Sequence, residues 1–306
     1  MSKRDFLTLT DLSRDEAREV LTLARKLKAE PKGSRTGLLP GRALAIVLEK
    51  ASTRTRVSFE VGAAQLGMQP VVLGIQGSQL GRGEPIRDTA RVLARYCDAI
   101  VYRTSATTRL REMATASVPV VNALSDDGHP VQVLCDVLTV EEQLGSSIAG
   151  KRIAFVGDCG SNMARSWLEA APLFGFDVVL AGPEAHMPPA VEVARAGARV
   201  TLVHDPARAA DGCDVVNTDV WTSMGQEAEG QERVEAFAGW SVNAAMLARA
   251  KPGAIVLHCL PAHRGEEIDE ETLEGPRSRV WDQAENRLHV QKALLVWLLG
   301  AAGAVR

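Results

Sequence analysis

The sequence predicts an α/β protein of two doubly wound domains, each with a central parallel sheet flanked by helices. Three observations carry that prediction. Short apolar runs rich in Val, Ile and Leu alternate with stretches of helical period, the signature of strand–helix units. The alternation runs through one block, ends at Gly145, and restarts at Arg152. The 306 residues suffice for about two domains, each with its own core.

Taken in order, Ser13 to Glu16 is a capping box, and Val20, Leu23, Ala24 and Leu27 continue one helical stripe. The turn-rich segment from Pro31 to Gly41 ends that helix. Residues 43–48 are continuously apolar, as in a buried parallel strand, and a helix over 54–66 stops at Gly67. Residues 70–75 read as a strand. Gly74, Gly77, Gly81 and Gly83 make 76–84 a flexible loop. A helix from Pro85 to Tyr96, a strand over 98–102, a helix near 107–116 and a strand near 118–123 follow. A polar loop, Ser125 to Pro130, leads into a long helix over 131–144. In the second block strands are expected at 152–156, 176–180, 199–203, 214–218 and 254–259, with a helix after Asn162. A helix over 284–299 closes the chain. The boundary is expected between Gly145 and Gly150, giving domains over 1–145 and 150–283.

Composition narrows the function classes. The apolar share of 46% and charged share of 24% are those of an ordinary soluble globular protein. A net charge of −3 gives no basic surface for nucleic acid. No apolar run reaches membrane-spanning length, and the first residues do not form a signal-peptide core. The five cysteines, Cys97, Cys135, Cys159, Cys213 and Cys259, are odd in number and scattered. They point to reduced thiols in a cytoplasmic compartment, not to a disulfide frame or structural zinc.

In such folds ligands sit beyond the carboxyl ends of strands, near a topological switch point. The chemistry-bearing motifs all fall there. Ser52-Thr53-Arg54-Thr55-Arg56 lies between strand and helix. Unpaired N–H groups and the positive dipole end of the helix favour an anion, and arginine adds bidentate bonds suited to phosphate. A plain N-cap with two solvated arginines would read the same. Arg103, at a strand end, is a second cation for that site or a surface charge. His129, in His129-Pro130-Val131-Gln132, can donate to a carbonyl oxygen as charge builds on it, or can serve a local backbone group.

Asp219-Val220-Trp221-Thr222-Ser223-Met224-Gly225 follows a strand. Its carboxylate and hydroxyl suit an ammonium group, and Gly225 and Gly230 would let the loop move as a lid. The alternative is a mobile loop with an exposed tryptophan. His258-Cys259-Leu260-Pro261-Ala262-His263-Arg264-Gly265 ends the last strand; Cys259 there is a tuned thiol or a small buried hydrophobe. Gly157-Asp158-Cys159-Gly160 lacks the spacing of a dinucleotide fingerprint, and His258 and His263 lack that of a zinc site.

These four motifs, in this order, resemble the aspartate/ornithine carbamoyltransferase family, and within it the ornithine enzymes through the Ser-Met-Gly loop. Ser78-Gln79-Leu80-Gly81-Arg82-Gly83-Glu84 and Glu285-Asn286-Arg287-Leu288-His289 add to the likeness, which spans about residues 5 to 300. The resemblance implies a carbamoyl phosphate domain over 1–145, joined by a returning C-terminal helix over 284–303, and an ornithine domain over 150–283. It implies transfer of the carbamoyl group to the δ-amine of L-ornithine, in arginine biosynthesis or the reverse direction, with no metal or organic cofactor. It further implies a cytoplasmic homotrimer with active sites at subunit interfaces.

By the same resemblance, Ser52, Thr53, Arg54 and Thr55 hold the phosphate, with Arg287 completing that side and Gln79 reaching a neighbouring subunit's site. Arg103, His129 and Thr55 polarise the carbamoyl oxygen, while Gln132 and the backbone of Cys259 and Leu260 fix the amide. Asn162 and the Met224 peptide take the ornithine carboxylate, Asp219 and Ser223 its α-amino group, and Cys259 lies near the attacking nitrogen. Ser161 stands where the family often has asparagine, and Val131 where it has threonine or cysteine. Two alternatives remain at this level: a carbamoyltransferase for another amine, such as N-acyl-ornithine or putrescine, and a non-catalytic α/β ligand-binding module.

Overall fold

The computed structural model describes residues 3–222 and 230–305. The chain divides into two compact units. One runs to Cys135 and resumes at Glu285; the other is Asp136–Ala284.

The first unit opens with α1 (Arg14–Ala29), started by the capping box that the sequence announces: Ser13 Oγ accepts from the Glu16 N–H at 3.3 Å and Glu16 Oε2 from the Ser13 N–H at 2.8 Å. Then come β1 (Ala43–Leu48), α2 (Thr53–Leu66), β2 (Gln69–Gly74), α3 (Ile86–Tyr96), β3 (Ala99–Arg103), α4 (Thr107–Met113), β4 (Val120–Leu124) and α5 (Pro130–Leu144), of which the residues through Cys135 belong to this unit. The sheet is parallel in the order β2-β1-β3-β4. From β1 the chain steps outward to β2 and then returns past β1 to β3. The switch point therefore lies between β1 and β3, where Leu48 pairs with Arg103. Arg103 is the last residue of β3, not the first beyond it. Residues 76–84 are less loose than their glycines suggest, since Gln79–Arg82 forms a 3-10 turn that buries Leu80.

The second unit follows the same logic. Its elements are β5 (Arg152–Val156), α6 (Asn162–Phe174), β6 (Asp177–Ala181), α7 (Ala190–Ala196), β7 (Val200–Val203), β8 (Val215–Thr218), α8 (Gly230–Ala236), α9 (Ala244–Leu247), β9 (Ile255–His258) and α10 (Glu270–Leu273). The parallel order β7-β6-β5-β8-β9 puts the switch point between β5 and β8. Trp221, which an exposed-loop reading would put in solvent, is buried. Its ring stacks on Phe237 with centroids 5.5 Å apart.

The last helix, α11 (Val280–Leu298), begins four residues before the expected start at 284. From Glu285 onward it belongs to the first unit. Lys28 Nζ reaches Asn286 Oδ1 at 2.8 Å, Lys292 Nζ reaches Gln65 Oε1 at 3.0 Å, and Trp297 Nε1 donates to Glu19 at 3.0 Å. Lys292 is buried, and desolvation holds its ammonium below the usual lysine range.

Candidate active site

At the first switch point, Ser52 caps α2, its Oγ accepting from the Thr55 N–H at 3.3 Å. The capping reading is thus correct as far as it goes. Thr55 in the same turn is fully buried, and its Oγ1 meets Arg287 Nη2 at 3.1 Å. The other terminal nitrogen of Arg287 donates to Gln132 Oε1 on α5. The one guanidinium of Arg287 therefore joins α2 to α5. Arg56 faces outward and pairs with Glu60 one turn on, at 3.1 Å. Thr53 is exposed and Arg54 half-buried.

His129 precedes α5, and its carbonyl accepts from the Gln132 N–H at 3.0 Å. Its side chain is buried. Desolvation, with the like charges of Arg287, Arg103 and Arg54, holds the imidazole well below its ordinary range. The ring is neutral at neutral pH, fit to donate a hydrogen bond without first losing a charge. Three guanidinium groups act on this one ring, so the site favours an anion that brings compensating charge.

Just before Ser52 stands a residue that the sequence did not single out. Glu49, just after β1, accepts from Tyr102 Oη, from Thr104 Oγ1 at 2.5 Å and from Arg109 Nε at 2.9 Å. Burial pushes its carboxyl up, but the bonds from Arg109, Thr104 and Tyr102 outweigh that and hold it low. An ionised Glu49 thus ties the end of β1 to the end of β3. No local pattern signals it, since every partner is remote in sequence.

In the second unit, Ser161 caps α6, its Oγ accepting from the Ala164 N–H at 3.4 Å, and Asn162 is the first helical residue. Serine in place of asparagine keeps the capping acceptor. Gly157 takes φ +121°, where only glycine sits easily, and an added Cβ would press on the Trp221 ring at 3.3 Å. Asp158 pairs with Arg233, whose Nε also donates to the Trp221 carbonyl at 2.6 Å. The Gly-Asp-Cys-Gly turn is thereby occupied by its own structure.

Asp219 follows β8 and is half-buried. Burial pushes its carboxyl up, while His258, the Cys259 thiol and the Val220 N–H draw it back. Its Oδ1 accepts from the Val220 N–H at 2.8 Å and from Cys259 Sγ at 3.0 Å. Cys259 is half-buried, which does not fit a purely structural hydrophobe. Ligand-capable atoms of Asp219, His258 and Cys259 lie within 4.8 Å of one another, as do those of His263, Glu266 and Glu267. In the first set both ring nitrogens of His258 already hold hydrogen bonds, to Glu267 and to the Leu260 N–H.

Comparison with known proteins decides the family. Residues 4–142 match the aspartate/ornithine carbamoyltransferase carbamoyl-P binding domain, and residues 149–298 match the Asp/Orn binding domain of the same proteins. The chain belongs to the aspartate/ornithine carbamoyltransferase family. An ornithine carbamoyltransferase of Sorangium cellulosum is 71% identical over 98% of this chain and 99% of its own length. One from Pelobacter propionicus is 52% identical over 97% and 99%. Among solved structures, the ornithine carbamoyltransferase of Pyrococcus furiosus superposes with a TM-score of 0.91 at 45% identity, covering 98% of each chain. That of Thermus thermophilus gives 0.89 at 42%, covering 97% and 99%.

In this chain Arg54, Arg103 and Arg287 act together on His129 in the first unit, and Asp219 and Cys259 meet in the second. Gln79 is exposed on its 3-10 turn, and among the described residues no hydrogen bond joins its side chain to residues 52–56. Ser223 and Met224 lie outside the described residues. No helix among the described residues is long and apolar enough to cross a membrane.

Proposed function

We propose that the chain transfers the carbamoyl group of carbamoyl phosphate to the δ-amine of L-ornithine, giving L-citrulline and phosphate. The observation that carries this reading is the buried, neutral His129 under the joint field of Arg54, Arg103 and Arg287 at the β1/β3 switch point. Ser52, Thr53, Arg54, Thr55 and Arg287 take the phosphate. Arg103, His129 and Thr55 face the carbamoyl oxygen. Gln132 and the backbone carbonyls of Cys259 and Leu260 accept from the carbamoyl amide. Residues 1–145 with 284–303 serve carbamoyl phosphate, and 150–283 serve ornithine.

The chemistry balances with these groups. The neutral δ-amine attacks the carbamoyl carbon and a tetrahedral oxyanion forms. Collapse breaks the C–O bond to phosphate, and the departing phosphate takes the proton that the amine sheds. The developing oxyanion needs fixed donors, and each such donor is worth on the order of 10²–10³ in rate. Asp219 takes the ornithine α-ammonium together with Ser223, and Asn162 and the Met224 peptide take the α-carboxylate. Cys259 lies near the attacking nitrogen. The active form is a homotrimer in which Gln79, exposed on its turn, serves a neighbouring subunit. The compartment is the cytoplasm, in keeping with free thiols at all five cysteines.

The test is a colorimetric citrulline assay on purified protein with carbamoyl phosphate and ornithine, run beside putrescine and N-acetylornithine. Turnover confined to ornithine is expected, because putrescine has no carboxylate for Asn162 and an acylated α-nitrogen carries no cation for Asp219. No product with any amine would leave a binding module; a preference for another amine would reassign the acceptor.

A further inference from the structure

His258 ends β9 and takes no part in the chemistry above, yet it is among the most tightly held side chains in the second unit. It is buried, and so is Glu267. His258 Nε2 lies 2.9 Å from Glu267 Oε1, which also accepts the His263 N–H at 2.7 Å. On the other edge of the ring, Nδ1 lies 2.9 Å from the Leu260 backbone nitrogen. An amide N–H can only donate, so Nδ1 carries the lone pair and Nε2 carries the proton. Glu267 faces that proton and so selects this tautomer. The His258 backbone N–H donates to Gln283 Oε1 at 2.9 Å, and Gln283 Nε2 donates to Asp136 Oδ1 at 2.7 Å, which fixes the root of the side chain.

What the ring holds matters. Leu260 has φ +60°, a left-handed backbone that a branched apolar residue adopts only when its surroundings impose it. The Cys259–Leu260 peptide is planar and trans, so its C=O points opposite to its N–H. Drawing the Leu260 N–H onto His258 therefore turns the Cys259 carbonyl away from that ring. On the same turn the Cys259 thiol reaches Asp219 at 3.0 Å.

We propose that His258 is a positioning residue for carbamoyl transfer: its Nδ1, with the tautomer set by Glu267, holds the Leu260 N–H and thereby aims the Cys259 carbonyl and thiol at the reacting groups. This rests on the reading that the backbone of Cys259 and Leu260 takes the carbamoyl amide. His258 itself touches no substrate in this scheme.

Two substitutions separate the edges of the ring. His258→Asn places an acceptor oxygen near the Nδ1 position but loses the Nε2 donor. His258→Gln places a donor near Nε2 but loses the Nδ1 acceptor. Aim, not bulk, is the proposed role, and displacement of a positioning group by about 1 Å can cost about 10²-fold in rate. His258→Asn is expected to keep kcat within about five-fold of the wild type and His258→Gln to lose about 10²-fold. The KM for carbamoyl phosphate should stay near wild type in both, because the phosphate anchors are intact. Thermal unfolding places the two variants side by side: a role in packing alone would make kcat follow Tm. Equal losses of kcat in both, or retention in His258→Gln, would overturn the proposal. Should neither variant fold, the ¹⁵N spectrum of histidine-labelled wild type decides. An Nε2–H tautomer at His258 upholds the scheme; an Nδ1–H tautomer or an imidazolium overturns it. A wild type that makes no citrulline removes the proposed function and this inference with it. An active wild type with indistinguishable variants removes only the inference.

Discussion

The two switch points share a frame and differ in charge. Each has a parallel strand, a short turn, and a helix capped by serine: Ser52 before α2 and Ser161 before α6. Each is crossed by the strand on the far side of the gap, β3 in one unit and β8 in the other. The difference lies in what that second strand delivers. β3 ends in Arg103, whose charge adds, with those of Arg287 and Arg54, to the burial that keeps His129 neutral. β8 is followed by Asp219, whose carboxylate meets a thiol. The topology supplies a helix start and an opening, and on the proposed function the residue at the crossing strand's end sets whether an anion or a cation is welcome.

The largest effect that would break this contrast is on the cationic side. Arg103→Ala should lower kcat on the order of 10²–10³, read as citrulline formed at saturating substrates. A variant that kept wild-type turnover would strip the first switch point of its assigned charge chemistry. Asp219→Asn comes next. Removing one partner of a desolvated charge pair costs roughly 2–5 kcal/mol, so kcat/KM for ornithine should fall about 10²-fold or more. Carbamoyl phosphate binding, followed by calorimetry, should be unchanged. Weakened carbamoyl phosphate binding instead would mean that the two charges are not separately assigned.

Stability measurements sharpen the contrast further. Glu49→Gln leaves the Tyr102, Thr104 and Arg109 donors facing a weaker acceptor. A loss of about 1–3 kcal/mol is expected in urea unfolding at pH 7, toward the low end because Arg109 is partly exposed. His129 makes a pH signature. Its native imidazole resists protonation, whereas in the unfolded chain it titrates near 6.5. As pH falls through that value the unfolded state gains a proton that the native state refuses, so stability drops by up to about 1.4 kcal/mol per pH unit. His129→Gln should therefore lose less stability than wild type between pH 7 and pH 5. The smallest effect belongs to the shared frame: Ser161→Ala should cost about 1 kcal/mol as a lost cap, while Ser161→Asn should be neutral within a few tenths.

Much of this was legible in the sequence because it is local. The run 43–48, the capping box at Ser13 and the stop at Gly67 each declare themselves within a few residues, and each stands where expected. Element ends were less legible. α4 stops at Met113 rather than near 116, and α11 starts at Val280, because tertiary packing overrides terminal propensity. The Ser-Thr-Arg-Thr-Arg segment, Arg103 and His129 were legible as candidates, but not their mutual electrostatics. Glu49 and Glu267 carried no signal at all. Each lies in ordinary polar sequence and gains its meaning only from partners that folding brings: Tyr102, Thr104 and Arg109 for one, His258 for the other. Trp221 looked like a loop residue because its burial depends on Phe237, which follows it only after an intervening segment.

The bond from Arg287 to Thr55 spans 232 positions of chain. During synthesis the ribosome releases the Ser52 turn, β3 and His129 long before it makes this guanidinium. A nascent or truncated chain ending before Glu285 carries the capped turn but not the cation that ties Thr55 to Gln132. On the proposed function, the phosphate site is therefore complete only once the final helix has been made.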